Sequence, residues 1–424
     1  MRPLNLSDFT DSNINEMLDV HLDYCFNYTR NSQYCRSLSD RDFLINGIQR
    51  LTQSYKSGRH FIQNESELND NNIAVSTFFD ALHSSRRNLL VQDISKAHVN
   101  FTNLMIEDLG TNYLEDFPEL APYRVMSADG HFIDHACHTS KDKKGKVYAA
   151  GSIFGLNVKT GVAEFLCSVT DGSRKSHEIP QFRDYMKSIT DQTPTIWVMD
   201  RAYISGSFWL ELKRKKQYLI SRVKDNMNIQ KLGSLDYDKN DPVNSGVTDY
   251  YLAAMDSHYE ALPVIEYCDP ETGEKYRFFS TLSNTLKPGL IAWLYFLRWG
   301  IEKTFDNFKN SLNSTKAWAN GINAQQIQAH LTVMTYNLLR LITETLKDDG
   351  FEDYKVIQKR KKHFKIRKKK ALKKGRLIHP LQSLKNKMTQ ISAQFIRSFQ
   401  NWFRSKKPYR VVKQILIHRL NTYL

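Results

Sequence analysis

An α/β fold, with strands in the middle of the chain and helical regions at both ends, is what this sequence predicts, and three observations predict it. From Tyr123 to about residue 285, short runs rich in β-branched and aromatic residues alternate with turn residues, as strands do. From Pro288 to Leu312 the apolar residues recur at helical spacing, behind a proline placed where a first helical turn tolerates one. The first 120 residues also read as mostly helical, with no long Gly/Pro linker and no internal repeat.

Composition frames this reading. A chain of 424 residues, 41% of them hydrophobic, can bury a sizeable core, and its length favours two to three domains. Cys25, Cys35, Cys137, Cys167 and Cys268 form no regular framework, so a reduced, intracellular protein is expected. The opening MRPLNLSDFTDSNINEML has no apolar signal core, and no apolar run reaches membrane-spanning length, so a soluble cytoplasmic protein is expected.

Charge is unevenly placed. The net charge is +15, yet residues 1–120 hold 10 Lys or Arg against 17 Asp or Glu, residues 121–353 hold 28 of each, and residues 354–424 hold 22 against none. Self-repulsion opposes compaction of such a tail unless a polyanion is present. Nucleic acid is the expected partner, bound with counterion release, and an anionic membrane surface is the weaker alternative.

Taken in order, the N-terminal 120 residues contain the segment Leu68–Leu90, with Phe78, Phe79 and Leu82 at helical spacing before Ser84, Ser85, Arg86 and Arg87. It fits the second half of a helix-turn-helix about as well as a helix used for packing. YRVMSADGHFIDHAC reads as a strand ending at Asp129, and KVYAAGSIFGLNV and VAEFLCSVTDG read as a hairpin turning at Lys159-Thr160-Gly161. HEIPQFRDYMKSI is a helix candidate, and Thr195–Met199 a buried strand with Asp200 at its end. Residues 224–285 hold a β hairpin around CDPETGE, a β-rich insertion. In the helix from Pro288 to Leu312, Tyr295, Arg298, Glu302 and Lys309 stand at offsets close to whole turns, so one face carries a hydroxyl, two cations and one carboxylate. Such a row suits phosphodiester chemistry: the acid holds a divalent metal and the cations hold phosphates.

The pattern Y-x2-R-x3-E-x6-K, here Tyr295, Arg298, Glu302 and Lys309, resembles the signature of DDE-class transposases of bacterial insertion sequences, specifically the insertion-sequence-four-type family. The order strand, strand, strand, helix, strand is similar to a ribonuclease-H-like core, in which the first and fourth strands lie side by side. The resemblance implies such a core interrupted by an inserted β-rich subdomain, with Asp129, Asp200 and Glu302 as catalytic residues and ligands of two Mg2+ ions, for which Mn2+ substitutes. Asp134 is the main competitor for the first position and Asp171 a weaker one. Arg201, Tyr295, Arg298 and Lys309 are the implied DNA contacts, though Arg201 also suits a structural salt bridge. The implied activity is cut-and-paste transposition: water frees a 3′ hydroxyl, which then attacks the opposite strand or target DNA.

The expected organisation is a helical N-terminal domain over 1–120 for DNA end recognition, core segments over 121–223 and 286–345 around the insertion at 224–285, and a basic helical tail over 346–424. The implied partners are double-stranded transposon ends and target DNA, bound by a homodimer in a synaptic complex, with the protein on the nucleoid and off the membrane. A structure-selective nuclease and a domesticated, noncatalytic DNA-binding protein are the alternatives. His135, Cys137 and His138 fit no standard zinc spacing, His177 reads as a helix-start residue, Trp299 reads as packing rather than a base-stacking platform, and Trp318 is left open between packing and stacking on unpaired bases.

Overall fold

The computed structural model describes residues 14–52, 57–69, 73–139, 141, 143–170, 177–255, 260–282, 285–348, 354–382, 398, 401–402 and 407–421. Asp171, the opening residues and much of the basic tail after residue 382 lie outside them.

Strands β1 (Arg124–Ile133), β2 (Ala150–Asn157), β3 (Ala163–Thr170), β4 (Thr195–Val198), β5 (Gln217–Arg222), β6 (Ile229–Ser234), β7 (Val247–Met255), β8 (Leu262–Cys268) and β9 (Lys275–Ser280) form one sheet ordered β3-β2-β1-β4-β5-β9-β8-β7-β6. β1, β2 and β3 are an antiparallel meander, and Gly161, at φ +73°, supplies the left-handed conformation its second turn needs. β4 then returns parallel to β1, and β5 parallel to β4, through helices α6 (Glu178–Ser188) and α7 (Gly206–Arg214). The first and fourth strands are therefore neighbours.

The expected insertion does not stand apart. Its last strand, β9, pairs antiparallel with β5 through Ile220–Arg222 and Phe278–Ser280, so four more strands extend the same sheet. The strands nearest β5 keep buried residues on both faces, whereas β6, at the edge, is exposed nearly throughout. Val125, Ile196, Val198, Ile220, Ile265 and Phe278 face helix α8 (Pro288–Leu297), while Met126, Trp197, Leu219, Val264 and Phe279 pack with Phe182 of α6 and Trp209 of α7.

Helices α1 (Ile14–Phe26), α2 (Asp40–Thr52), α3 (Gly58–Asn69), α4 (Val75–Leu82) and α5 (Ser85–Asp108) share a core with α10 (Ile322–Asp348) and with Phe154, Leu156 and Ala163 of the sheet. The break between α4 and α5 falls at the expected polar residues, where Ser84 Oγ caps the Arg87 amide at 3.2 Å. Arg86 forks onto both oxygens of Asp40 at 2.8 Å, and Arg87 reaches the same carboxylate at 3.3 Å. These two guanidinium groups thus point into the protein. Among the described residues, no helix is long and apolar enough to cross a membrane.

The helical core buries histidines. His21 Nε2 meets His98 Nδ1 at 2.5 Å, and burial lowers the pKa of His21 to about 4 and of His330 to about 3. A histidine whose pKa falls on folding stabilises the native state above its ordinary value of about 6.5, and that contribution disappears as pH drops toward the folded value. Thermal melts from pH 8 to pH 4 should therefore show stability falling below about pH 6.5, by on the order of 3 kcal/mol for His21 alone. A melting temperature independent of pH between 6.5 and 4.5 would contradict the burial of these rings.

Candidate active site

Two parallel strands set the first two acids. Ser127 of β1 pairs with Val198 of β4, and Asp129 and Asp200 each follow two residues later. Sharing the parity of Ser127 and Val198, both acids belong to the sheet face covered by α8. Asp129 is not at the end of its strand as expected: β1 continues to Ile133, paired with β2 alone once β4 has stopped. The carboxylate stands where the edge of β1 opens.

The helix expected as one element is two, α8 and α9 (Trp299–Asn310), joined at Arg298. At the joint the Arg298 amide bonds the Tyr295 carbonyl at 3.2 Å and the Ile301 amide bonds the Arg298 carbonyl at 3.0 Å, a local tightening to three-residue bonds. Ser127 Oγ donates to that same Arg298 carbonyl at 3.2 Å, tying the joint to β1. A side chain inserted into the helical ladder is a recognised cause of such a kink.

The joint brings the expected acids together. Arg298 Nη1 contacts Asp129 Oδ2 at 3.1 Å and Nη2 contacts Glu302 Oε1 at 2.9 Å, while Tyr295 donates to Asp200 Oδ1 at 3.5 Å. Arg298 Nε is buried without a hydrogen-bond partner. Lys309 is exposed on α9 and acts on His131, whose pKa burial and this lysine lower to about 4. Arg201 is exposed and forms an ion pair with Asp225 at 3.1 Å.

Burial raises the pKa of Asp129; Arg298 and the Gly130 amide at 2.9 Å oppose the rise, and the charges of Glu302 and Asp200 add to it. Burial works against the charge of Arg298, but Tyr295, Asp129, Glu302 and Asp200 outweigh it and raise its pKa. A fourth acid, Glu178, opens α6; burial raises its pKa, the charges of Asp129 and Asp200 add to the rise, and the Tyr203 hydroxyl counters it. Sequence reasoning singled out its neighbour His177, which is the residue capping this helix, and missed Glu178. The signal that could have found it was an acid in the first turn of the helix before β4, together with a glycine directly after Asp129.

Other candidates lie apart. The Asp134 amide bonds the Thr315 carbonyl, and its backbone bridges to Lys316. Cys137 Sγ accepts from Lys316 Nζ at 3.1 Å, and the His138 carbonyl from Asn320. Among the described residues, no three His, Cys, Asp or Glu side chains are gathered closely enough to hold a metal as they stand. At the candidate site the reason is visible: the Arg298 guanidinium bridges Asp129 and Glu302. Trp318 packs on Phe78 and under Arg50, but Trp299 is 51% exposed and borders an open cavity of about 540 Å3. Asp200 and Arg298 line one side of this cavity, Glu271 and Tyr276 of the β8–β9 hairpin another, and Arg367 of helix α11 (Tyr354–Lys373) a third.

A mixed sheet with acids on neighbouring parallel strands, one within β1 and one just past β4, facing an Arg–Glu helix joint, defines a carboxylate site bordered by cations. A family model described as a transposase DDE domain matches residues 120–338, and the chain belongs to that family. It is therefore a transposase, a nucleic-acid-cleaving enzyme, and the matched span holds Asp129, Glu178, Asp200, Tyr295, Arg298 and Glu302. No curated protein matches the chain.

Replacing Arg298 with Met leaves Asp129 and Glu302 without their shared cation. The expected cost is about 2 kcal/mol, below that of a fully buried pair because Glu302 is 39% exposed. Adding Asp129→Asn should recover part of it. Equal melting temperatures for wild type and Arg298→Met would mean the bridge contributes no stability.

Proposed function

We propose that this transposase cuts and rejoins the ends of an insertion sequence of the insertion-sequence-four type, with Asp129, Asp200 and Glu302 as its catalytic carboxylates on a ribonuclease-H-like core. The observation that carries this reading is the Arg298 joint, which links Asp129 to Glu302 while the adjacent Tyr295 meets Asp200. Residues far apart along the chain are thereby held within one charged cluster.

The donor set fits a hard divalent cation. It offers only carboxylate oxygens, and three acids against one guanidinium leave negative charge that burial makes costly. Asp129, Asp200 and Glu302 would hold Mg2+, with Mn2+ as a substitute. Two such ions, when bound, activate the attacking oxygen and stabilise the leaving oxygen of a phosphodiester displacement. Arg298, with a buried N–H still unpartnered, offers a donor to a phosphate oxygen, and Tyr295, Arg201 and Lys309 extend the contact along the backbone. Water attacks first to free a 3′ hydroxyl, and that hydroxyl then attacks the opposite strand or the target.

Helix α11 supports a path for DNA beyond the acids. Arg367 Nε bonds Glu271 Oε1 at 2.8 Å and its Nη2 meets the second oxygen, while Arg376 Nη1 donates to the Thr272 carbonyl. The basic helix is thus clasped to the wall of the cavity, with Lys368, Lys369 and Lys370 exposed. We place duplex DNA along this helix, the helical residues 1–120 on the element ends, and two copies of the chain in the synaptic complex on the nucleoid.

Labelled element ends incubated with target plasmid and Mg2+ should give joined products. Glu302→Ala should abolish cutting and leave end binding measurable. Cutting without joining would replace the transposition reading with a nuclease, and cutting by Glu302→Ala would show that the third acid is misassigned. Replacing Lys368, Lys369 and Lys370 with Gln should flatten the salt dependence of binding by roughly 0.9 in log–log slope for each phosphate no longer neutralised, and an unchanged slope would remove α11 from the DNA path.

A further inference from the structure

Glu178 belongs to none of the roles assigned so far, yet the fold brings it to the same place. It lies on the α6 side of the sheet, opposite the face to which Asp129 belongs. It reaches the site because residue 130 is glycine: a Cβ there would stand 2.0 Å from Glu178 Oε2. Any other side chain at 130 would push the carboxylate away, and β4, which ends at Val198, leaves the neighbouring edge of β1 open for it. The opening is therefore bordered by acids from three elements, Asp129 in β1, Asp200 after β4 and Glu178 at the start of α6.

The surroundings of Glu178 lack the partners that structural acids acquire. Asp40 is held by two arginines, and Glu344 by Arg340 and Lys347. Among the described residues no cation pairs with Glu178, while the charges of Asp129 and Asp200 both act on it. The neighbouring polar group is equally unfinished. Tyr203, 3% exposed, follows Asp200 by three residues and packs on Phe182 of α6, and its buried hydroxyl lies beside Glu178 with no hydrogen-bond partner of good geometry. A half-buried acid without a cation, beside a buried hydroxyl that makes no well-formed hydrogen bond, is an arrangement that a bound ion and its waters complete.

We propose that Glu178 is a fourth acid of the site, which joins Asp129 and Asp200 in holding a divalent cation, directly or through its water, with Gly130 as the residue that admits it. The proposal rests on the carboxylate reading above and adds a residue to it. Mg2+ keeps several waters in sites built from few carboxylates, so an acid that grips a coordinated water contributes to affinity without replacing a ligand.

Mn2+ titrations followed by thermal stability, with no DNA present, test this apart from activity. Wild type should gain melting temperature with Mn2+, and Asp200→Asn should abolish the gain. Glu178→Gln, nearly isosteric, should fold at least as stably without metal and move the Mn2+ midpoint upward by about tenfold, the range for residues supporting metal ligands. Glu178→Asp, which keeps the charge but shortens its reach, should move it in the same direction by less and guards against misfolding of the first variant. A Glu178→Gln midpoint equal to wild type, with Asp200→Asn unresponsive, would overturn the role of Glu178 and leave the three-acid site intact. No Mn2+ response in wild type would overturn the metal reading itself.

Discussion

Everything distinctive about this molecule passes through Arg298. Its carbonyl is held by Ser127 of the central strand, its amide closes a tightened turn onto Tyr295, and its guanidinium is divided between Asp129 and Glu302. One residue therefore fixes the bend between α8 and α9, the distance of that bend from the sheet, and the approach of acids that would otherwise repel one another. A lysine could supply the charge but not the rigid planar fork, whose two separate nitrogens each face one carboxylate.

The rest of the protein shows how unusual that charge balance is. Two buried acids elsewhere are matched: Asp40 by Arg86 and Arg87, and Glu344 by Arg340 at 2.9 Å with Lys347 and Thr111 besides. In each case the pKa of the acid is lowered, although burial alone would raise it. At the site the sign reverses, and Asp129 and Glu178 are both raised. A fold able to pair its buried acids leaves these underpaired, and such imbalance is where function is to be sought.

Much of this was legible in the sequence, and what was not has physical reasons. Strands β1 to β4 and the turn at Gly161 follow from short β-branched and aromatic runs punctuated by turn residues, which are local signals. The adjacency of Asp129 and Asp200 was expected only from the resemblance to a ribonuclease-H-like order of elements, since the strand that α6 follows, β3, is not the one that β4 joins. The kink at Arg298 was hidden because its cause, the Ser127 hydroxyl, lies 171 positions away. Glu178 was hidden likewise, since a first-turn acid ordinarily serves the helix dipole and only the missing side chain of Gly130 reveals another use. Trp299 looked like packing because it stands one helical step off the row of Arg298 and Glu302, yet it lines the cavity beside the joint.

The insertion between the second and third acids makes sense as the support of α8. Its 3-10 turn at Pro242–Asn244 lies under the start of that helix, where Asn244 Oδ1 accepts from the Gly289 amide at 2.9 Å and Lys287 pairs with Asp241 at 2.9 Å. A Cβ at position 289 would meet the Val243 carbonyl oxygen at 2.0 Å, so glycine is what lets the two segments close. Strand β9 meanwhile brings the chain back beside β5, one strand from β4 and Asp200. The added strands thus fix where α8 begins, Ser127 fixes where it ends, and the ten residues between are buried almost throughout. With both ends pinned to the sheet, the helix has little freedom to carry Arg298 and Glu302 away from Asp129, so the insertion that separates the acids in sequence is also what holds them together in space.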